Sequence, residues 1–204
     1  KKIITIPNPV KTASKKADPV GNSSVKKRLL SVGRLSYQKN YQALVRAFSS
    51  IANQFPQWEL VIVGEGEDRN DLQRLIDKYE INDQVVLHGA SSQVEEYYAS
   101  AQLFCLPSRW EGFPNALAEA MAHGLPSVGY ENCAGVRDLI MHRKNGLLAK
   151  GNGDIESLSS SLALLMKAEG KRAAYGESAK LYVSAYEPER IFNQWEGLFK
   201  EIAE

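Results

Sequence analysis

"RLLSVGRLSYQKNYQALVRAFSSIANQFPQWELVIVGEG", residues 28 to 66, holds two apolar runs with one amphipathic segment between them. The runs "RLLSVG" and "WELVIVGEG" are nearly continuous in Leu, Val and Ile, the pattern of short strands buried on both faces. Between them Tyr41, Leu44, Val45, Phe48, Ile51 and Ala52 recur at helical spacing, with Asn40 expected as the cap and Pro56 as the stop. Strand, helix and buried strand in that order form the unit of a parallel sheet whose crossovers are helices.

The alternation continues downstream. Residues 69 to 80 place Leu72, Leu75, Ile76 and Tyr79 on one helical face, and "QVVLHG" reads as a third strand. A short helix in "VEEYYASA" leads to a fourth strand in "QLFCLPS", and the helix that follows is closed by Gly124 and Pro126. "PSVGY", a turn of helix near 136 to 140, and "GLLA" extend the series. From Asp154 onward only helical patterns remain, near 154 to 168, 170 to 184 and 187 to 203. The last puts Ile191, Phe192, Trp195, Leu198 and Phe199 on one apolar face, which needs a partner. The expected fold is α/β: a Rossmann-like, doubly wound parallel sheet in three α/β/α layers, with extra C-terminal helices.

Composition bounds the function. The 204 residues carry 44% hydrophobic and 24% charged residues and a net charge of +1, an ordinary globular balance that makes nucleic acid a poor partner. No run approaches the roughly 18 apolar residues of a membrane span, and no signal segment is present, so a cytoplasmic setting is expected. Cys105 and Cys133 form no CxxC pair, and His88, His123 and His142 are too scattered for a metal site; both thiols are expected to be buried. Residues 1 to 28 hold eight Lys/Arg against the single acid Asp18, in a Pro-, Gly-, Ser- and Asn-containing stretch that reads as a solvated linker.

The candidate chemistry lies in "PSRWEGFPNALAEAMAHGLP", residues 107 to 126. In doubly wound sheets ligands bind beyond the C-terminal strand ends, where loops enter helix N-termini. A helix starting near Asn115 offers backbone N–H groups and a partial positive charge to a phosphate, and Gly112 lets the backbone come close. Glu111 in the loop and Glu119, one helical turn in beside Ala116, Ala120 and His123, can accept hydroxyl hydrogen bonds on either side of one diphosphate, the pattern a nucleotide sugar requires. On spacing alone, a loop glutamate and an exposed helix glutamate are the simpler account. "GRLSYQKN" alters that balance by setting Arg34 and Lys39 at the same sheet edge, where a forked guanidinium and a mobile ammonium can clamp phosphate oxygens.

Together "SVGRLSYQKN", "VIVGEGEDRNDLQRLI", "VVLHGA", "LFCLPSRWEGFPNALAEAMAHGLPSVGY" and "GVRDLIMHRKNGLLA" resemble, over about residues 28 to 200, the C-terminal donor-binding domain of family 4 retaining glycosyltransferases with the GT-B fold. The resemblance implies one half of a GT-B fold: residues 1 to 27 as interdomain segment and linker, 28 to 204 as the nucleotide-sugar-binding domain, and the N-terminal acceptor domain absent. It implies that Gly33, Arg34 and Lys39 meet the diphosphate and Glu111 the donor sugar. Gly112, Phe113, Pro114, Asn115, Ala116 and Leu117 would line sugar and phosphate, Glu119 would take the ribose, and the base would lie by His88 and Gly89. Arg34, Lys39 and Glu111 are then the catalytic candidates. No cofactor is implied beyond the substrate, a UDP-sugar, and no metal, since a cationic clamp takes the metal's place. The implied partner is a carbohydrate or lipid-linked acceptor, held mainly by the missing domain, with the intact enzyme at the inner face of a membrane in polysaccharide or lipopolysaccharide synthesis.

Three other readings compete. A glycoside hydrolase using Glu111 and Glu119 leaves Arg34 and Lys39 unexplained. A dinucleotide-binding oxidoreductase domain needs a third glycine where Arg69 stands, and Glu65, Glu67 and Asp68 would repel a pyrophosphate. A noncatalytic nucleotide-sugar-binding module shares every residue of the site.

Overall fold

The computed structural model describes residues 3 to 21 and 25 to 203. Six parallel strands form its sheet: β1 (Lys27–Val32), β2 (Trp58–Val63), β3 (Val85–Gly89), β4 (Leu103–Leu106), β5 (Ser127–Tyr130) and β6 (Gly146–Ala149). Their order across the sheet is β3-β2-β1-β4-β5-β6. The winding therefore reverses between β1 and β4, and the loops leaving those two strands diverge around a crevice at their C-terminal ends.

Helices α1 (Tyr41–Ser49), α2 (Arg69–Lys78), α3 (Val94–Ser100), α4 (Asn115–Ala122), α5 (Ala134–Leu139) and α6 (Ile155–Lys167) alternate with the strands or follow them. Then come α7 (Glu169–Val183) and α8 (Pro188–Ala203), the latter opening on a proline whose missing N–H costs a first helical turn nothing.

Two cores follow from strand alternation. Leu29 and Leu60 face α1 and α6, joining Leu44, Phe48, Leu158 and Leu162; Leu30 and Val61 face the other way, joining Phe104, Leu117, Met121 and Val136. Each fully buried Leu or Phe contributes about 1.5–3 kcal/mol, which fixes the register of every strand and thus the place of its loop. Cys105 and Cys133 are both buried free thiols.

Two local expectations are corrected. Asn40 precedes α1 but does not cap it: it takes a left-handed conformation (φ 56°) with no side-chain cap bond, because it also ends the 3-10 turn at Tyr37–Lys39. The basic segment is not solvated throughout, since Val10 and Ala17 are buried and their amides donate to the carbonyls of Tyr186 and His123. Lys15 and Lys16 pair with Glu96 and Glu177, so the lysines that read as a solvated run are matched by acids of α3 and α7. Further along, the buried Arg172 guanidinium of α7 donates to the carbonyls of Pro19 (2.6 Å), Val20 (3.2 Å), Leu165 (2.7 Å) and Met166 (3.0 Å) and lies 5.1 Å from the Trp58 ring.

Candidate functional site

The loop after β1 is shaped by close backbone packing. A Cβ on Gly64 would stand 1.9 Å from the Gly33 carbonyl oxygen, so the chains leaving β1 and β2 touch as only glycine permits. Gly33 donates to Val63 O (3.0 Å) and Leu35 to Glu65 O (2.8 Å), fixing the exit path. The loop after β4 is then tied to this one: Arg109 N–H donates to Gln38 O (2.8 Å), Gln38 Nε2 to Trp110 O (3.0 Å), and the Arg109 guanidinium lies 4.3 Å from the Tyr37 ring centre.

That bracing brings Lys39 to Glu111. Lys39 Nζ donates to Glu111 Oε1 at 2.6 Å, and Ser108 Oγ donates to the same oxygen at 2.7 Å. The Glu111 side chain is 8% exposed, so the pair is substantially withdrawn from water. No donor among the described residues reaches Glu111 Oε2. Arg34, at the end of β1, is exposed and makes no hydrogen bond or ion pair among the described residues. Behind the pair, burial above all, with the neighbouring Cys105 and Glu111, pushes the Tyr41 hydroxyl well above its usual range, and that hydroxyl has no hydrogen-bond partner among the described residues.

Helix α4 begins at Asn115 after Pro114 with no side-chain cap. The Asn115 side chain turns away to accept from Asn8 Nδ2 (3.1 Å), while the amides of Asn115, Leu117 and Ala118 turn back onto Phe113 and Pro114 carbonyls. Gly112 is exposed, with open space where a Cβ would stand, but its carbonyl is pressed by α5: a Cβ on Gly135 would lie 2.2 Å from Gly112 O. A hollow of about 480 Å³ opens between Gly112, Phe113, Leu139, Tyr186 and the incoming residues Thr5 to Asn8.

Glu119 projects from α4 into a second hollow of about 300 Å³, walled by Lys11 to Ala13, Val94, Glu95, Tyr98 and His123. Tyr98 OH donates to Glu119 Oε2 at 2.9 Å. Desolvation, with like charge from Glu95, holds the Glu119 carboxyl above its usual range, while the Tyr98 hydrogen bond opposes the shift. His123 ends α4, buried, its ring stacked 5.2 Å from that of Tyr98, and desolvation lowers its pKa. It therefore favours the neutral form and is a poor partner for the helix dipole as a cation.

His88 lies on the exposed face of the edge strand β3, its Nε2 in a short hydrogen bond with Tyr97 OH, and Gly89 follows in a left-handed conformation (φ 91°). The structure thus brings Lys39, Glu111 and Gly112 together before the start of α4, with Arg34 exposed on the loop after β1 and Glu119 exposed further along α4, in a hollow of its own. Ser108, Tyr98 and Gly135 were not foreseen; nothing in their local sequence marks them, because each acts through a loop or helix far along the chain.

A doubly wound sheet with Arg34 and the Lys39–Glu111 pair on the loops after β1 and β4, beside an uncapped helix start, is the architecture of one half of a GT-B protein. The model of glycosyl transferases group 1 matches residues 14–182, and the chain belongs to that family. An uncharacterized glycosyltransferase of Haemophilus influenzae is 35% identical over 84% of this chain and 48% of its own length. The Campylobacter jejuni N-acetylgalactosamine-N,N'-diacetylbacillosaminyl-diphospho-undecaprenol 4-alpha-N-acetylgalactosaminyltransferase is 31% identical over 81% of this chain and 44% of its own. Among solved structures, a point mutant of S. aureus TarM in complex with Fondaparinux, alpha-GlcNAc-glycerol and UDP aligns with TM-score 0.87 and 24% identity over 98% of this chain and 40% of that one. The chain thus spans about half the length of the curated relatives it matches.

Proposed function

We propose that this chain is the donor-binding half of a retaining glycosyltransferase that takes a UDP-sugar and, with an acceptor-binding half, passes the sugar to a hydroxyl of a carbohydrate or lipid-linked acceptor. The observation that carries the reading is the Lys39–Glu111 pair at 2.6 Å, held beside the uncapped start of α4 with Glu119 one turn further in. Arg34, Lys39 and the positive end of α4 meet the diphosphate, Glu111 the donor sugar, and Glu119 the ribose diol. The base lies by His88 and Gly89, and Gly33 and residues 112 to 117 line the path between. UDP in the TarM complex supports the choice of nucleotide, and the undecaprenol-linked acceptor named for the C. jejuni relative supports an enzyme working at the inner face of a membrane.

In this reading the bond from the sugar's anomeric carbon to the diphosphate breaks, the acceptor oxygen bonds to that carbon on the same face, and its proton passes to the departing diphosphate. Charge grows on the diphosphate, and each preorganised donor aimed at it is worth about 3–4 kcal/mol of barrier by analogy with oxyanion donors. Two side-chain cations beside a helix start supply that stabilisation without a metal. Within residues 1 to 27, Lys11 to Ala13 wall the Glu119 hollow, which fits an interdomain segment returning along the donor site.

Calorimetric titration with UDP, GDP and NAD in the presence of EDTA tests the reading. UDP is expected to bind, and Arg34→Ala or Glu119→Ala to weaken it about tenfold each. Preference for NAD, or indifference to both substitutions, would contradict it.

A further inference from the structure

Glu119 is held by one group that the reading above does not use. The Tyr98 side chain is 1% exposed, fixed by ring contacts with Phe104 (6.0 Å) and His123 (5.2 Å). Its position leaves the hydroxyl one acceptor, Glu119 Oε2 at 2.9 Å. Among the described residues nothing donates to Glu119 Oε1. A glutamate on a helix has three side-chain torsions, and an unheld carboxylate loses much of that freedom when a ligand fixes it. Here a rigid buried phenol has already fixed one oxygen of a residue that lines the hollow, and the other oxygen is free for a ligand. The same hydrogen bond also favours the ionised form against the burial and the nearby Glu95 that disfavour it.

We propose that Tyr98 is the positioning residue for Glu119: its hydroxyl holds one carboxylate oxygen so that the other is presented, charged and preoriented, to the vicinal hydroxyls of the nucleotide ribose. Tyr98 does not touch the ligand. It sharpens discrimination between ribose and 2′-deoxyribose, because the oxygen left free can accept from two hydroxyls of the first and from only one of the second. The inference rests on the assignment of Glu119 to the ribose.

The test is a titration of the 204-residue chain with UDP and 2′-deoxy-UDP, using the wild type, Tyr98→Phe, Glu119→Ala and the double variant. Phe keeps the ring and its packing, and near-ultraviolet circular dichroism checks that it does. Tyr98→Phe is expected to weaken UDP about five- to tenfold and 2′-deoxy-UDP less than about twofold, so the ratio of the two affinities collapses towards that of Glu119→Ala. The double variant should bind no more weakly than Glu119→Ala alone, since Tyr98 acts only through that carboxylate. If Glu119→Ala collapses the ratio and Tyr98→Phe leaves it intact, or lowers both affinities alike, the positioning role is wrong while the ribose assignment stands. If Glu119→Ala itself leaves the ratio unchanged, or UDP does not bind, the assignment beneath it falls and the inference with it.

Discussion

Lys39 and Glu111 sit on loops 72 residues apart in sequence, yet their charged groups meet at 2.6 Å with the glutamate side chain only 8% exposed. Ser108 shares the same carboxylate oxygen, so removing the lysine leaves a largely buried charge with one neutral donor. Lys39→Met should cost about 1–3 kcal/mol of stability, and Lys39→Met with Glu111→Gln should cost less than the sum of the single changes. Urea unfolding of the four proteins in the cycle measures this; strict additivity would mean the contact carries no coupling.

Gly112 and Gly135 face each other across the crevice floor with opposite tolerance. Gly135→Ala forces a methyl to 2.2 Å from Gly112 O and should destabilise by about 1–3 kcal/mol while displacing the Glu111 loop. Gly112→Ala meets no atom within 4 Å, so stability should change by less than about 0.5 kcal/mol while UDP-sugar affinity falls. Thermal melts paired with titrations separate the two, and a large melting shift for Gly112→Ala would count against the open floor.

Arg172 is a buried cation satisfied by four backbone carbonyls, two of them in residues 19 and 20. Arg172→Met should lose about 2–4 kcal/mol, and Arg172→Lys should recover little, because an ammonium cannot span that fork of acceptors. Limited proteolysis provides a second readout, with faster cleavage near residue 20 expected in both variants.

His123 is expected to make the fold acid-sensitive. Its pKa is lowered by desolvation, and its Nδ1 is buried without a hydrogen-bond partner, so the unfolded chain binds the proton more readily than the native one. Stability contributed by the neutral ring is therefore present above about pH 6.5 and is lost as pH falls from there through the lower folded-state value. Glu95 and Lys180 are the charged groups that modulate it, in opposite directions. In His123→Gln the drop in unfolding free energy between pH 7 and pH 5 should shrink, and an unchanged pH profile would remove the histidine from that role.

The sheet was legible because each buried run is short and each intervening helix keeps a clean apolar face, as in Leu29 joining Tyr41, Leu44 and Phe48 in one core while Leu30 joins the core on the opposite face. What escaped sequence reading depended on closure over distance. Tyr98 reads as one more aromatic on a short helix until α4 brings Glu119 beside it, and Ser108 as a turn residue until Lys39 arrives. Asn40 has cap chemistry, but the 3-10 turn before it dictates a left-handed backbone instead. The lysines at 15 and 16 look solvated because their acids lie on α3 and α7, remote in sequence. The apolar stripe of α8 was legible as a stripe only in part of its environment: Ile191 is buried, while Phe192, Trp195, Phe199 and Ile202 remain exposed.

A crystal structure of the chain with UDP, collected with Arg34 and Lys39 intact, is the most direct measurement of the site. The expected density places the diphosphate between those two cations and the start of α4, with the ribose hydroxyls on Glu119 and the uracil beside Gly89. UDP bound elsewhere, or oriented with its ribose away from Glu119, would contradict the donor site described above.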